Sequence, residues 1–205
     1  MITATIIRDL MEPIILASGS LRRHEFFRML GLPFSIMPSR VDESINEAME
    51  PRIKAETLAV RKVEAVRKAL DGRNPPWILA ADTLIDVDGM VFGKAESKEE
   101  AKTMLQTLSG REHKVISALA LFSGRSQKLD CRSNESIVRF ADFSKEEIEW
   151  YLDTGEWQGV AGAYRIQGIA ACFVSEIRGS YSSIVGLPLH DFYVMLKQNG
   201  YTYSV

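Results

Sequence analysis

The chain has 205 residues, 25 Lys and Arg against 27 Asp and Glu for a formal charge of −2, and 46% hydrophobic residues. This is enough apolar material to bury a core in one large domain or two small lobes, and it excludes disordered, collagen-like and low-complexity classes. The near-neutral balance disfavours duplex nucleic acid held through phosphate neutralisation, and no apolar run reaches the roughly eighteen residues that a membrane span needs.

Short strands and helices alternate from the start. Ile14 to Ala17 is an apolar run that fits a buried strand; after Ser18-Gly19-Ser20, helical spacing runs from Leu21 to Leu30 and stops at Gly31. Phe34 to Met37 reads as a strand, Lys54 to Leu70 as an amphipathic helix closed by Asp71-Gly72 and Pro75-Pro76, and Trp77 to Ala81 as a strand. Asp86 to Phe92 is expected to form a hairpin around Asp88-Gly89. Ser97 with Glu100 and Ser144 with Glu147 each spell a capping box that opens a helix, the first ending at Gly110 and the second near Gly155. Val115 to Phe122, Ser136 to Phe143 and Ala170 to Ile177 read as strands, and Leu189 to Leu196 as a last helix. The class is α/β or α+β, with a mixed sheet flanked by helices.

Four places put polar residues where packing alone does not call for them. Ser18-Gly19-Ser20-Leu21-Arg22-Arg23 joins a strand to a helix: small hydroxyls, open backbone N–H groups and two arginines suit a polyphosphate, while a plain serine cap with solvated arginines is the bland alternative. Lys62 falls within the apolar stripe of Ala55, Leu58, Val66 and Ala69, so its ammonium must snorkel, pair with a carboxylate or face a ligand. Asp82-Thr83 follows the apolar strand directly, at the end where α/β sites gather; the carboxylate there can hold a divalent cation, orient a water, or simply cap a turn. Asp42-Glu43 is a second acidic pair able to converge on it. Finally, Gly162 to Gly168, Gly179-Ser180-Tyr181 and Gly186 to Leu189 read either as backbone closing on a small ligand, with Gln167 facing a base edge, or as a series of tight turns.

Cys131 and Cys172 have no His or Cys neighbours at metal or redox spacing and read as reduced structural thiols. Arg8, Asp9 and Glu12 interrupt the N-terminal apolar stretch before it reaches signal-peptide length, so a cytoplasmic location is expected.

In chain order, Ser18 to Arg23, Val41-Asp42-Glu43, Leu58 to Lys62, Ala81-Asp82-Thr83, Gly93-Lys94, Leu108 to Arg111 with His113, Ala161 to Tyr164 with Ile166-Gln167-Gly168, and Gly179 to Tyr181 with Gly186 to Leu189 resemble the Maf family of nucleoside triphosphate pyrophosphatases. The resemblance runs from about Ile14 to Leu196 and implies one Maf-like domain over residues 1–205, with residues 1–13 as an extension. It implies a Maf/ITPase-like fold with a ligand cleft between two lobes, and hydrolysis of a nucleoside triphosphate to the monophosphate and pyrophosphate. The cofactor implied is a divalent cation, Mg or Mn. Ile166-Gln167-Gly168 points to the dTTP/UTP branch. By position, Asp82 is the proton acceptor, Arg22, Thr83 and Gln167 determine specificity, and Ser18, Ser20, Arg23, Lys62 and Lys94 bind substrate, with Glu43 and Asp82 as metal ligands. A nucleotide-binding regulator of septum formation without turnover, or a pyrophosphatase for 7-methyl-GTP, is the competing reading; the partner is a small-molecule nucleotide, and the oligomeric state is open, a homodimer included. The chain departs from the family's usual residues at Leu21, Ala95, Val160 and Ser183, and Val160 replaces a lysine beside the expected pocket.

Overall fold

The computed structural model describes residues 11–43 and 49–203; most of the expected N-terminal extension lies outside the described residues. Three apolar segments form parallel strands: β1 (Ile14–Leu16) lies between β2 (Phe34–Ile36) and β3 (Trp77–Val87), with Ile14 opposite both Phe34 and Trp77. Parallel neighbours need crossovers, which α1 (Leu21–Met29) and α2 (Pro51–Ala69) supply. β4 (Met90–Phe92) folds back antiparallel on the end of β3, and α3 (Lys98–Leu108) follows. β5 (Glu112–Ser123), β6 (Lys128–Phe140), α4 (Lys145–Asp153), a 3₁₀ helix (Ile169–Phe173), β7 (Val174–Arg178), α5 (Tyr181–Val185) and α6 (Leu189–Gln198) complete the chain. The sheet order is β2-β1-β3-β5-β6-β7 with β4 on β3, so the class is α/β with a mixed, seven-stranded sheet.

Two compact units divide this chain. One comprises the residues up to Asp82, Ala118–Ser133 and the residues from Gly186 onward; the other comprises Thr83–Ser117 and Asn134–Val185. In the first, Ile14, Leu16, Leu79 and Ala81 turn one sheet face toward Phe27 of α1 and Phe192 of α6, whose rings lie 5.4 Å apart. Side chains alternate along a strand, so Asp82 takes the other face, which α2 covers.

The second unit is centred on aromatic rings. Phe140 lies 4.8 Å from Tyr164 and 5.1 Å from Phe143, and Phe143 lies 4.5 Å from Phe173. His113 is buried against Phe140 and Tyr164, with Nε2 2.8 Å from the Tyr164 hydroxyl and Nδ1 lacking a hydrogen-bond partner. Burial pushes its imidazole down to about 4. The unfolded chain binds this proton near pH 6.5, the folded chain only near 4, so stability is complete above about pH 6.5 and is lost as the pH falls toward 4, by up to roughly 3 kcal/mol. Denaturant titrations at pH 7 and 4.5 should therefore show a shallower acid loss in His113→Phe than in the parent. Equal losses would remove His113 as the acid-sensitive group.

Four local expectations are corrected. β3 does not end at Ala81 but runs on to Val87, so Asp82 and Thr83 lie inside a strand rather than beyond it. The helix expected from Lys54 starts at Pro51, a residue whose fixed φ and missing N–H suit the first helical turn. Ala170–Ile177 is half 3₁₀ helix and half strand: Ala170 and Phe173 are buried three residues apart, the 3₁₀ period. Only Ser144 with Glu147 closes a full capping box; at Ser97 the side chain caps Glu100 N, but the Glu100 carboxylate accepts from Glu96 N instead.

Candidate active site

The loop after β1 and the first turn of α1 are ordered by Ser18. Its buried hydroxyl accepts from Ser20 N at 3.2 Å and from Arg23 Nη1 at 3.0 Å, and its carbonyl accepts from His24 Nε2 at 2.8 Å. Arg23 is drawn further inward by a hydrogen bond from Nε to the Gly186 carbonyl at 2.8 Å. Ser20 occupies the N-cap position yet makes no side-chain cap hydrogen bond, so the plain-cap alternative does not describe it. A helix N-terminus favours negative charge, and this one carries Arg22 and Arg23 in its first turn with no serine side-chain cap on it. Arg22 is half-buried beside this turn, at the second helical position.

Opposing charges meet where α2 crosses the sheet. Lys62 is 8% exposed and does not snorkel: its ammonium lies 2.6 Å from Asp82 Oδ1 and 2.8 Å from Glu43 Oε1. Of the fates the sequence leaves open, snorkelling is excluded and pairing with carboxylates is seen. Asp82 is itself 7% exposed, and its second oxygen, Oδ2, is buried with no hydrogen-bond donor on it. β1 pairs with β3 only as far as Leu79, whose carbonyl accepts from Ala17 N at 2.8 Å. Asp82 therefore stands three residues past the end of the parallel pairing even though its own strand continues. Burial lowers the Arg23 pKa, while the Asp82 and Glu43 carboxylates act to raise it.

The remaining expected residues belong to the second unit. The Thr83 hydroxyl is 2.8 Å from Ser117 Oγ, which donates at 2.7 Å to the Ser183 carbonyl; since that spends the one serine proton, Thr83 is the donor to Ser117. Lys94 is exposed and forms an antiparallel bridge with Ala161, next to the hydrogen bond from Gly162 N to Gly93 O at 2.9 Å. Gln167 is exposed at the corner of a turn closed by Gly168 N to Arg165 O at 3.0 Å. Val160 is 2% exposed and belongs to the apolar interior of this unit, as do Ala95 and, without apolarity, the fully buried Ser183.

Two participants are absent from the sequence-based set. His24 orders the serine loop, and its signal was available: it lies one helical turn before Phe27 and shares the buried side of α1. Glu156 holds the flank of the Gln167 turn through its hydrogen bond from Ile169 N at 2.8 Å. Nothing in Thr154-Gly155-Glu156-Trp157 marks it.

The fold and these groups define a mixed α/β protein with an anion-suited strand–loop–helix junction and a buried lysine held by two carboxylates. The family profile described as Maf-like protein matches residues 13–199, and the chain belongs to the Maf family. It is 44% identical over 191 residues, 93% of this chain and 96% of the relative, to a protein of Symbiobacterium thermophilum named dTTP/UTP pyrophosphatase. A dTTP/UTP pyrophosphatase of Mesorhizobium japonicum is 40% identical over 94% of each chain. Among solved structures, a nucleoside-triphosphatase, or dITP/XTP pyrophosphatase, of Mycobacterium abscessus aligns over 90% of this chain and 94% of its own, with a TM-score of 0.42 and 14% identity.

Proposed function

We propose that this chain hydrolyses nucleoside triphosphates, dTTP and UTP above others, to the monophosphate and pyrophosphate. The observation that carries the reading is the Asp82 carboxylate: buried, held at Oδ1 by Lys62, and without a donor at Oδ2. A carboxylate oxygen kept in that state can accept a proton from an attacking water. The names carried by relatives that align along nearly the whole chain support the same reaction.

Asp82 takes the proton of the water as its oxygen bonds to an anhydride phosphorus and the bridging P–O bond breaks, so that monophosphate and pyrophosphate part. Lys62 fixes the direction of the carboxylate, and Arg23, in the first turn of α1, holds the phosphate chain. Because Lys62 is already paired with two carboxylates, its charge does little to balance a triphosphate. The hard-oxygen chemistry suits a divalent cation, with Asp82 Oδ2 orphaned and Glu43 bringing a second carboxylate to the same lysine. Among the described residues no group of three or more carboxylate, histidine or cysteine ligands gathers, which leaves the rest of a cation's shell to phosphate and water. Asp82 and Glu43 would hold Mg or Mn, whose charge would neutralise phosphate oxygens and lower the pKa of a bound water. We place the enzyme in the cytoplasm, where its two thiols would stay reduced; no helix among the described residues is long and apolar enough to cross a membrane.

Gln167 and Thr83 read the base. An amide can pair with the adjacent carbonyl and N–H of a pyrimidine, and a mismatched base leaves polar groups unpaired at roughly 1–3 kcal/mol each. Pyrophosphate release should be fastest with dTTP and UTP, should stop on chelation of the metal, and in Gln167→Glu should fall far more for dTTP than for poor substrates. Faster hydrolysis of a purine triphosphate or 7-methyl-GTP would overturn the substrate, and no release from any triphosphate would overturn the reaction.

A further inference from the structure

The turn that carries Gln167 is held on both flanks by one residue. Arg165 Nε donates to the Glu156 carbonyl at 2.7 Å, and Ile169 N donates to the Glu156 carboxylate at 2.8 Å, so residue 156 grips the chain before and after the corner. Further bonds brace the first flank: Arg165 Nη2 to the Gln158 carbonyl at 2.9 Å, and Arg165 N to the Tyr151 hydroxyl at 3.2 Å. Glu156 is in turn tied to the end of α4, its N–H donating to Thr154 Oγ1 at 3.2 Å while that hydroxyl donates to the Tyr151 carbonyl at 2.6 Å.

Gly168 explains why the grip is close. Its φ of −115° and ψ of −150° place it outside the left-handed region, so backbone freedom does not account for a glycine there. A Cβ on Gly168 would meet the Glu156 carboxylate, the far end of a flexible side chain, which would have to shift away from Ile169 N to admit it. Within the turn, Ile166 is buried and Gln167 exposed, so the clamp anchors one side chain inward and fixes where the next one points.

We propose that Glu156 is a specificity-positioning residue: by holding Ile169 N with its carboxylate, beside the Arg165 contact on its main-chain carbonyl, it sets the orientation in which Gln167 presents its amide to the base. This rests on the reading of Gln167 as the group that meets the base. Glu156 touches no substrate in this account. It acts through the turn, and recognition by a single oriented amide is sensitive to small displacements of its support.

The test compares kcat and KM for dTTP and dGTP in the parent, Glu156→Ala, Glu156→Gln, Gln167→Ala and the double variant Glu156→Ala/Gln167→Ala, with melting temperatures for each. Glu156→Ala should lower the dTTP-to-dGTP ratio of kcat/KM by about tenfold or more, chiefly through KM for dTTP, with dGTP kept within about threefold. Glu156→Gln retains an oxygen that accepts from Ile169 N and should restore most of the ratio, and the double variant should discriminate no worse than Gln167→Ala alone. Equal losses on both nucleotides in the folded Glu156→Ala protein, or a further loss of discrimination in the double variant, would overturn the proposal. If instead Gln167→Ala leaves the ratio unchanged, the base reading itself fails and the clamp proposal falls with it; a lowered ratio in Gln167→Ala beside an unchanged one in Glu156→Ala overturns the clamp alone.

Discussion

Asp82→Asn is expected to lower kcat for dTTP by at least about a hundredfold, the low end of what a positioned base contributes, while nucleotide binding stays within a few-fold of the parent. The amide is nearly isosteric with the carboxylate. Its oxygen can still accept from Lys62 at the Oδ1 position, so the contact at 2.6 Å is preserved in kind. What changes is the buried Oδ2 side, which has no donor in the parent and would become an NH₂ group unable to take a proton or ligate a cation. Calorimetric binding of dTTP beside a pyrophosphate-release assay separates the two effects. Turnover within a few-fold of the parent would remove Asp82 from the proton transfer.

Lys62→Met is expected to cost both activity and stability, and the second loss follows from the structure rather than from the helical pattern. A snorkelling lysine could be replaced by methionine with little effect on folding, because the stem's apolar contacts survive. Here the ammonium is clasped by Asp82 and Glu43, with the Lys62 and Asp82 side chains only 10% and 9% exposed. Removing it leaves Asp82 charged and unpaired in the interior. Breaking one partner of a buried pair costs about 3 kcal/mol or somewhat more. The same argument makes the loss recoverable: in Lys62→Met/Asp82→Asn the stranded charge is gone, and most of the stability should return. Denaturant titration of the two single variants and the double variant measures this coupling directly. A Lys62→Met protein as stable as the parent would mean that the ion pair contributes nothing to the fold.

Both predictions concern one cluster, and its logic is economical in residues. Lys62 holds the Asp82 carboxylate in place, the serine loop holds Arg23, and His24 holds the loop through the Ser18 carbonyl. A change at His24 would act on Arg23, the arginine proposed to hold phosphate, without touching it.

Much of this was legible in the residues alone. The hydrophobic period of 3.6 or 2 and the punctuation by glycine, proline and capping serines are local properties, readable wherever a segment's own residues decide its state. The alternation of short apolar strands with helices was therefore legible, as were Ser144 with Glu147 and the placing of Lys62 among apolar neighbours. The ordered motifs pointed to the family that the profile over residues 13–199 then established. Tertiary structure alone decided the rest. Asp82 and Thr83 continue a strand because β4 pairs farther along it, and residues 169–173 take 3₁₀ form where Glu156, thirteen positions earlier, holds Ile169 N. That Lys62 pairs rather than snorkels was settled by two carboxylates, 19 residues before it and 20 residues after it. Periodicity reports which side of a helix is buried, but the choice between snorkelling and pairing depends on what lies across from that side, and that is fixed by contacts between residues far apart in the chain.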